Sequence, residues 1–249
     1  MIAETEHGTI TVEPEKAKAG DEVVITATPD AGYKLAELTV KDANGNEVEL
    51  TKNEDGTYTF TQPSGKVTIE AKFEKAKFVD VPADSYYEKA VDWAVVKSIT
   101  NGIDETHFAP DATCTRAQAV TFLWRALGCP EPKATKSEFT DVEEGAFYFK
   151  AVLWAAENGI TLGYGDGKFG VNDTVNRGQM VTFMERAMKG KAIKAESFTD
   201  VPEGAFYADA AAWAKENGIS DGIGDNKFGG ETDCLRAQIV TMLYRYFVK

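Results

Sequence analysis

The sequence has few of the residues on which enzyme and metal sites depend. Its 249 residues include two histidines and three cysteines, an odd cysteine count without the spacing of a metal site. No nucleophile motif or phosphate-binding loop is present, and carboxylates are too numerous for a glycosidase pair to stand out. We therefore expect no enzyme, no metal site and no cofactor. A disulfide among Cys114, Cys129 and Cys234 stays open, because pairing does not follow from sequence.

Positive charge is also scarce, since the net charge is −13. Such a chain repels nucleic acid and anionic membrane surfaces unless a local basic patch intervenes. No apolar run approaches the roughly 20 residues of a membrane span, and the opening "MIAETEHGTI" lacks the basic and apolar regions of a secretory signal. The chain is thus either intracellular or a piece of a longer exported protein. Its hydrophobic share of 43% suffices for packed cores.

Residues 1–75 predict a small all-β module. Stretches such as "DEVVITATP" and "KVTIEAKF" alternate apolar and polar residues, as half-buried strands do. Turn signals separate them at residues 30–32, 44–45 and 55–56, where Gly follows Ala, Asn or Asp. We expect meandering hairpins, and this part of the chain contains no arginine.

From Phe78 onward, one pattern occurs three times. The copies align on a tryptophan, with an Asp-Val pair 13 residues before it, a Gly nine residues after it, and arginines 23 and 32 residues after it. The recurring residues are Trp93, Trp154 and Trp213; Asp80, Asp141 and Asp200; Gly102, Gly163 and Gly222; and, for the first arginine, Arg116, Arg177 and Arg236. We assign the copies to residues 78–131, 139–190 and 198–249, joined by the linkers "GCPEPKATKS" and "KGKAIKAES".

Each copy predicts a helix, a glycine-rich loop and a second helix. In the first copy, Ala90, Trp93 and Ala94 share one helix face. Two helices alone bury too little apolar surface, so we expect three copies to close around a shared core with approximate threefold symmetry. The predicted fold class is therefore α+β and multidomain, with a mainly α pseudo-threefold bundle after the small β module. Such a bundle would leave similar grooves between neighbouring copies.

The first arginine of each copy begins a helix, in the sequences "TRAQ", "NRGQ" and "LRAQ". The first two sequences are capping boxes, whereas Leu235 caps poorly and Asp233 is the alternative cap. A cation in the first helical turn opposes the macrodipole by about 0.3–1 kcal/mol. Repetition of an unfavourable choice indicates an anionic partner, and a planar guanidinium beside free N–H groups suits a carboxylate. The partner is either a ligand or one of the recurrent aspartates.

The other recurring residues each have two interpretations. The second arginines, Arg125, Arg186 and Arg245, lie on the face opposite the first ones at about 100° per residue, so we expect structural pairs that cannot serve their own helix's groove. The tryptophans either fill the core or stack on sugars. The glycines are turn residues or backbone donors to a ligand. The sequences "GDGKF" and "GDNKF" lack the carboxylate pattern of a calcium loop, which favours plain turns.

The three copies resemble S-layer homology motifs. The resemblance rests on "FVDVPADSYYEKAVDWAVVKSITNG" with "TRAQAVTFLWRA", and on "FTDVEEGAFYFKAVLWAAENGI" and "FTDVPEGAFYADAAAWAKENGI" in the next two copies. It covers about residues 78–249 and implies a pseudo-threefold bundle that anchors an exported protein to secondary cell-wall polysaccharide, often one with pyruvate ketals on N-acetylmannosamine. The family's basic signature residue falls on Arg116, Arg177 and Arg236. A pyruvate ketal is a carboxylate on a sugar, which is the ligand type that these arginines indicate.

The copies depart from the family pattern, so we expect the grooves not to be equivalent. Gln replaces the common Glu in all three, which keeps the cap and removes a negative charge beside the arginine; Gly178 replaces Ala in the second copy. The stretch "HGTITVEPEKAKAGDEVVITATPDAGYKL" resembles divergent internalin-type B-repeats, which implies a spacer or adhesive module.

The leading interpretation is a carbohydrate-binding anchor at the cell wall, outside the cell, for an exported surface protein. The expected partner is a pyruvylated N-acetylmannosamine-type polysaccharide, with no nucleic acid and no membrane span. The candidate ligand-binding residues are the recurrent first arginines, aspartates, glycines and tryptophans named above. The alternative is a protein-interaction or adhesion module whose repeats are purely structural.

Overall fold

The computed structural model describes residues 2–30, 33–53, 56–75, 78–191 and 198–248. They form two compact units: one runs to Ser85 and includes Gly102–Phe108, and the other comprises Tyr86–Asn101 and the chain from Ala109 onward. Residues 31–32 and 55 of the predicted turns, and residues 192–197 of the predicted linker, lie outside the described residues. No helix within the described ranges combines the length and the apolar character that crossing a bilayer requires.

The first unit confirms the all-β prediction for the N-terminal part. Its described strands are β1 (Gly8–Glu13), β2 (Glu22–Pro29), β3 (Tyr33–Lys41), β4 (Thr51–Lys52), β5 (Tyr58–Thr61) and β6 (Thr68–Lys75). Strands β1, β2, β5 and β4 form one antiparallel sheet in that order, and β3 pairs with β6. Alternation directs Ile25, Phe60 and Ile69 into a common core. The sequence pattern did not predict the two-residue strand β4.

The second unit contains the helices predicted from the repeats. They are α1 (Glu88–Val96), α2 (Arg116–Ala126), α3 (Phe149–Glu157), α4 (Arg177–Met188), α5 (Ala208–Glu216) and α6 (Arg236–Phe247). Helix α3 packs on α2, α5 packs on α4, and α1 packs on α6. The first helix of each repeat thus contacts the last helix of another repeat, and the contact between α1 and α6 closes the ring. This arrangement is the pseudo-threefold bundle that the repeats predict.

Three backbone hydrogen bonds join the repeats at the centre of this ring. Val175 N donates to Cys114 O at 2.9 Å, Cys234 N donates to Val175 O at 2.8 Å, and Cys114 N donates to Cys234 O at 3.1 Å. Each repeat therefore gives one N–H and one C=O to its neighbours, so no member of the trio is left with an unmet backbone group. All three side chains are fully buried, which explains why small apolar or thiol side chains recur at this position.

The departure at Gly178 has a packing reason. A Cβ built there would lie 2.6 Å from Cδ1 of Tyr207, and one built at Gly230 would lie 2.4 Å from the same ring. Tyr207 is 4% exposed, so its ring fills the space that the two missing side chains leave. The second and third repeats are therefore matched in shape at this junction.

Candidate functional site

Helix caps fix where the first arginines begin their helices. In α2, Thr115 Oγ1 accepts from Gln118 N at 3.2 Å, and Gln118 Oε1 accepts from Thr115 N at 3.0 Å. Asn176 and Gln179 form the same reciprocal pair in α4. The predicted capping boxes are therefore present, and each places an arginine at the first helical position.

The third helix keeps half of this cap. Leu235 has no acceptor in its side chain, but Gln238 Oε1 still accepts from Leu235 N at 3.2 Å. Asp233 does not cap the helix, contrary to the alternative considered from sequence. Its Oδ1 instead accepts from the hydroxyl of Thr174 in the second repeat at 2.9 Å.

The first arginines are almost completely buried and bind the neighbouring repeat. Arg116, Arg177 and Arg236 are 3%, 3% and 4% exposed. Arg116 Nε donates to the carbonyl of Phe169 in the second repeat at 2.9 Å, and Arg177 Nε donates to the carbonyl of Phe228 in the third repeat at 2.9 Å. Each of these two side chains therefore crosses a junction between repeats.

The recurrent aspartates bind the same two loops from the other side. Asp141 accepts from the backbone N–H groups of Phe169, Gly170 and Val171 at 2.8, 2.7 and 3.1 Å. Burial alone would raise the pKa of Asp141, but these N–H groups outweigh it and hold the pKa below its ordinary value. In the third repeat, Asp200 accepts from the N–H groups at positions 228 and 229. The aspartates thus shape the loops whose carbonyls the arginines bind.

Arg116 and Arg177 do not form the internal ion pairs considered from sequence. Within the described residues, Arg116 and Arg177 make no salt bridge. The guanidinium carbon of Arg116 lies 4.5 Å from the ring centre of Tyr164 and 5.3 Å from that of Phe183. Burial lowers the pKa of both guanidinium groups, because desolvation disfavours their charged form.

A cavity of about 350 Å³ lies beside Arg116, and we call it the first groove. Its lining includes Arg116, Thr161, Leu162, Gly163, Tyr164, Gln179, Arg186 and Phe206. Arg116 comes from the first repeat, Phe206 from the third, and the remainder from the second. Tyr164 is 49% exposed and Phe206 is 59% exposed, so the groove presents aromatic surface next to a buried cation.

A cavity of about 390 Å³ lies beside Arg177, and we call it the second groove. Its lining includes Tyr86, Arg177, Ser220, Asp221, Gly222, Ile223, Gln238 and Arg245. Here too all three repeats contribute, since Tyr86 belongs to the first repeat and Arg177 to the second. Arg177 Nη2 also donates to Ser220 Oγ at 3.0 Å.

Two of the second arginines, Arg186 and Arg245, line these grooves, which the sequence analysis did not anticipate. It correctly placed them away from their own helix's first arginine, but Arg186 shares the first groove with Arg116, and Arg245 shares the second with Arg177. Arg186 Nη1 donates to the carbonyl of Ile160 at 3.2 Å, and Arg186 is exposed. The nine-residue spacing between the two arginines could have predicted this arrangement. It places them on opposite faces of one helix, and in a closed ring the second face borders the groove at the other junction.

The recurrent glycines form the groove walls where a side chain would not fit. Gly163 and Gly222 have φ of 65° and 87°. A Cβ would lie 2.3 Å from Lys168 O in the first case and 2.1 Å from Lys227 O in the second. Their backbone N–H groups lie beside small hydroxyl side chains. Gly222 N, for example, donates to Ser220 Oγ at 3.2 Å. The turn geometry therefore requires glycine at both positions.

The tryptophans lie in helix packing and line neither described groove. Trp154 and Trp213 are 7% and 4% exposed. The half-buried Trp93 stacks on Phe247 of α6, with ring centres 6.0 Å apart. Exposed aromatic surface in the grooves comes from other residues, Tyr86, Tyr164 and Phe206, to which the sequence analysis assigned no role.

The site residues of the first repeat are divided between the two compact units. In the first unit, Phe108 N donates to Asp80 Oδ1 at 2.8 Å, and Gly102 has φ of 93°. In the second unit, the guanidinium carbon of Arg236 lies 5.3 Å from the ring centre of Phe122, and Arg125 Nη1 donates to Ile99 O at 3.0 Å. These contacts repeat the local chemistry of the other two copies.

The three cysteines are free thiols. Cys114 and Cys234 are fully buried, and burial raises the pKa of each thiol to about 12. Cys129 is exposed. The sequence left open whether two of the cysteines form a disulfide, and the structure shows all three unpaired.

A larger cavity, of about 700 Å³, lies in the β unit. Its lining is mainly apolar, with Ile10, Phe60 and Ile69 among the contacts. Its buried polar side chain, Gln62, already donates to the carbonyls of Pro63 and Gly65 at 3.1 and 2.8 Å. The charged residues of its lining, Glu15, Lys16 and Lys66, are exposed, unlike the buried arginines of the grooves.

Repeats that close into a ring, with cationic grooves beside Arg116 and Arg177, define the class of this protein: a repeat-built module preceded by a β domain. The family model of the S-layer homology domain matches residues 77–120, 138–181 and 197–240, and that of the divergent InlB B-repeat domain matches residues 1–77. The chain belongs to the S-layer homology domain family, and its N-terminal part is a divergent InlB B-repeat domain, as the sequence resemblance implied.

Relatives include surface proteins and a glycosidase. The chain is 30% identical over 174 residues to the S-layer protein sap of Bacillus anthracis, covering 68% of this chain and 21% of that protein. It is 35% identical over 115 residues to a cell surface protein of Thermoanaerobacter kivui (45% and 15%). It is 26% identical over 233 residues to exoglucanase XynX of Acetivibrio thermocellus (90% and 21%).

The chain spans about a fifth or less of the length of these relatives. Domains of this family bind cell-wall polymers, and the similarity to S-layer proteins indicates a cell-surface, cell-wall-associated protein. The matched segments correspond to a non-catalytic anchoring module, and no catalytic domain is evident in this part.

Proposed function

We propose that the first and second grooves bind a carboxylate-bearing sugar of the secondary cell-wall polysaccharide, of the pyruvylated N-acetylmannosamine type. The observation that carries this proposal is the state of Arg116 and Arg177. Each arginine is 3% exposed as a residue, lines an open cavity, and forms no salt bridge within the described part of the chain. Binding at these sites holds an exported protein on the wall without a covalent bond.

Asp141 and Asp173 lie near Arg116, and Asp200 lies near Arg177, but none of them pairs directly with the guanidinium. A buried cation without a directly paired carboxylate is costly, which favours the binding of a ligand carboxylate. Moving a charged group from water into the protein costs free energy. Only an opposite charge or several hydrogen bonds can offset the lost hydration. A backbone carbonyl and aromatic faces replace part of it for Arg116. A ligand carboxylate would supply the missing charge, and guanidinium groups bind carboxylates in a planar, two-pronged geometry.

The rest of each groove matches the surface of a sugar. Thr161 and Gln179 in the first groove, and Ser220 and Gln238 in the second, offer donors and acceptors for hydroxyl groups. Exposed rings, such as Phe206 in the first groove, offer apolar faces for a pyranose ring. Both cavity volumes lie in the range of about 300–1,000 Å³ that is typical of small-molecule sites.

Co-sedimentation with purified cell-wall fragments tests the ligand class. We expect the protein to pellet with intact wall, and to stay in solution when the polysaccharide has been extracted or its pyruvate removed. Binding should also weaken as salt is raised, because charge attraction is screened. Retention after extraction of the polysaccharide would contradict the proposal and favour a protein partner, which is the alternative function.

Two arginines that are more accessible than Arg116 and Arg177 test the site itself. Arg116 and Arg177 are almost completely buried and each bridges two repeats, so replacing them changes stability as well as binding. We therefore choose the double variant Arg186→Gln and Arg245→Gln, which removes one charged donor from each groove. Loss of a charge-assisted contact of about 1.5–3 kcal/mol should weaken binding at each groove by a factor of about 10–150.

The matched control is the double variant Lys89→Gln and Lys150→Gln. Both lysines are exposed and lie outside the two grooves, so the net charge changes equally while the groove linings stay intact. We expect wild-type pelleting from this control and an unchanged circular dichroism spectrum from both double variants. Equal weakening of the two variants would show that net charge, not the grooves, governs binding.

A further inference from the structure

The two described grooves differ in charge at one repeat position. The residue before the groove glycine is Leu162 in the first groove and Asp221 in the second, and Asn101 occupies the same position in the first repeat. The side chain of Asp221 is 80% exposed, and Leu162 is 74% exposed. Neither side chain is therefore needed for core packing, so the difference acts on the groove surface.

Asp221 neutralises an arginine of its own groove. Its Oδ2 accepts from Arg245 Nη1 at 2.8 Å. The equivalent arginine of the first groove, Arg186, donates instead to the backbone carbonyl of Ile160, and the described lining of that groove includes no acidic side chain. The lining charges are thus two arginines in the first groove, and two arginines with one carboxylate in the second.

We propose that Asp221 is a specificity-determining residue that lowers the affinity of the second groove for carboxylate-bearing sugars, so that the first groove is the principal anion site. This inference rests on the proposed function. An incoming carboxylate at the second groove meets a like charge and must compete for the donors of Arg245. A neutral sugar meets no such repulsion, so the penalty depends on the charge of the ligand.

Two sugar probes isolate the charge of the ligand. The first is the methyl glycoside of pyruvylated N-acetylmannosamine, and the second is its isopropylidene ketal, which has a methyl group in place of the carboxylate. The backbone amides of Gly163 and Gly222 report the two grooves separately in ¹⁵N–¹H NMR titrations of the full chain. We expect the pyruvylated probe to shift Gly163 at about tenfold lower concentration than Gly222, and the neutral ketal to show no such gap.

Reciprocal substitutions at the differing position test the role of Asp221. Asp221→Asn removes the charge and keeps the shape, and it should lower the Gly222 midpoint for the pyruvylated probe by about tenfold. Leu162→Asp places a carboxylate in the first groove and should raise the Gly163 midpoint by a similar factor. The control is Glu203→Gln, an equal charge change at an exposed position outside both grooves.

The outcomes separate this inference from the function on which it rests. Equal midpoints at Gly163 and Gly222, or a Gly222 midpoint that Asp221→Asn leaves unchanged, would overturn the role of Asp221 while carboxylate binding stands. If neither amide shifts, or if the neutral ketal binds as well as the pyruvylated probe, carboxylate recognition itself is wrong and this inference falls with it.

Discussion

The loop that carries the Arg116 contact depends on one carboxylate, and Asp141→Asn tests that dependence. Asp141 Oδ1 accepts from Phe169 N, and Oδ2 accepts from Gly170 N and Val171 N. Asparagine has nearly the same shape, but its amide nitrogen cannot accept. Whichever way the amide is turned, the substitution deprives at least one backbone N–H group of its acceptor and leaves the remaining N–H groups with a neutral acceptor.

The size of the effect follows from these lost bonds. A hydrogen bond to a charged group contributes about 1.5–3 kcal/mol. Since Asp141 is only half-buried, we take the lower value for the lost bond and a similar amount for the bonds that exchange a charged acceptor for a neutral one. We therefore expect a loss of about 3 kcal/mol in the free energy of unfolding. At about 2–4 °C per kcal/mol for a domain of this size, the melting temperature should fall by about 6–12 °C.

The effect should also depend on pH, with a sign fixed by the pKa of Asp141. The backbone N–H groups hold this pKa below its ordinary value, so ionised Asp141 stabilises the folded state. The contribution is fully present above the ordinary carboxyl pKa of about 3.9 and is lost as the pH falls through the lowered value. The difference between wild type and Asp141→Asn should therefore be largest near neutral pH and shrink in acid.

Urea unfolding followed by tryptophan fluorescence measures this difference, because all tryptophans lie in the helical unit. Glu144→Gln is the control, since it removes one exposed acid from the same repeat, and we expect a change within about 0.5 kcal/mol. An Asp141→Asn protein as stable as this control, or a difference that is the same at pH 3 and pH 7, would refute the reasoning.

Two further predictions concern the groove wall and the thiols. Gly222→Ala should lower the free energy of unfolding more than Gly204→Ala. Both glycines have positive φ, but only at Gly222 would a Cβ meet a backbone carbonyl, at 2.1 Å. Overpacking of this kind costs about 1–3 kcal/mol. Equal losses in urea unfolding would show that φ alone matters. In the folded protein at pH 8, a thiol reagent should modify Cys129 and spare Cys114 and Cys234, whose pKa values are raised to about 12; fast reaction of all three before denaturant is added would contradict their burial.

The local features of the site could be predicted from the sequence because each depends on neighbours along the chain. The capping pattern of "TRAQ" and "NRGQ" placed Arg116 and Arg177 at the first helical position, where the structure has them. Alternating apolar residues gave the strands of the β unit, and the recurring Asp-Val, Trp and Gly positions gave the repeats. These signals act within a few residues, so a single copy contains them.

The partners of these residues could not be predicted in the same way. The recurrent aspartates were candidate ion-pair partners, yet Asp141 and Asp200 bind backbone N–H groups. Arg186 was expected to be purely structural, yet it lines the groove of Arg116. The aspartate contacts depend on how the loop of each repeat folds back onto the start of the same repeat. The position of Arg186 depends on which repeat lies next to which helix face. Hydrophobic spacing encodes neither arrangement.

The sequence by itself determined the helix starts, the repeat number and the concentration of all arginines in the repeats. The tertiary structure decided that every described groove combines all three repeats, with Phe206 or Tyr86 supplied from the far side of the ring. It also decided that Asp221 meets Arg245. The physical reason is ring closure: the hydrogen bonds among Cys114, Val175 and Cys234 bring together residues that lie far apart in the chain, and only that geometry sets which charges share a cavity.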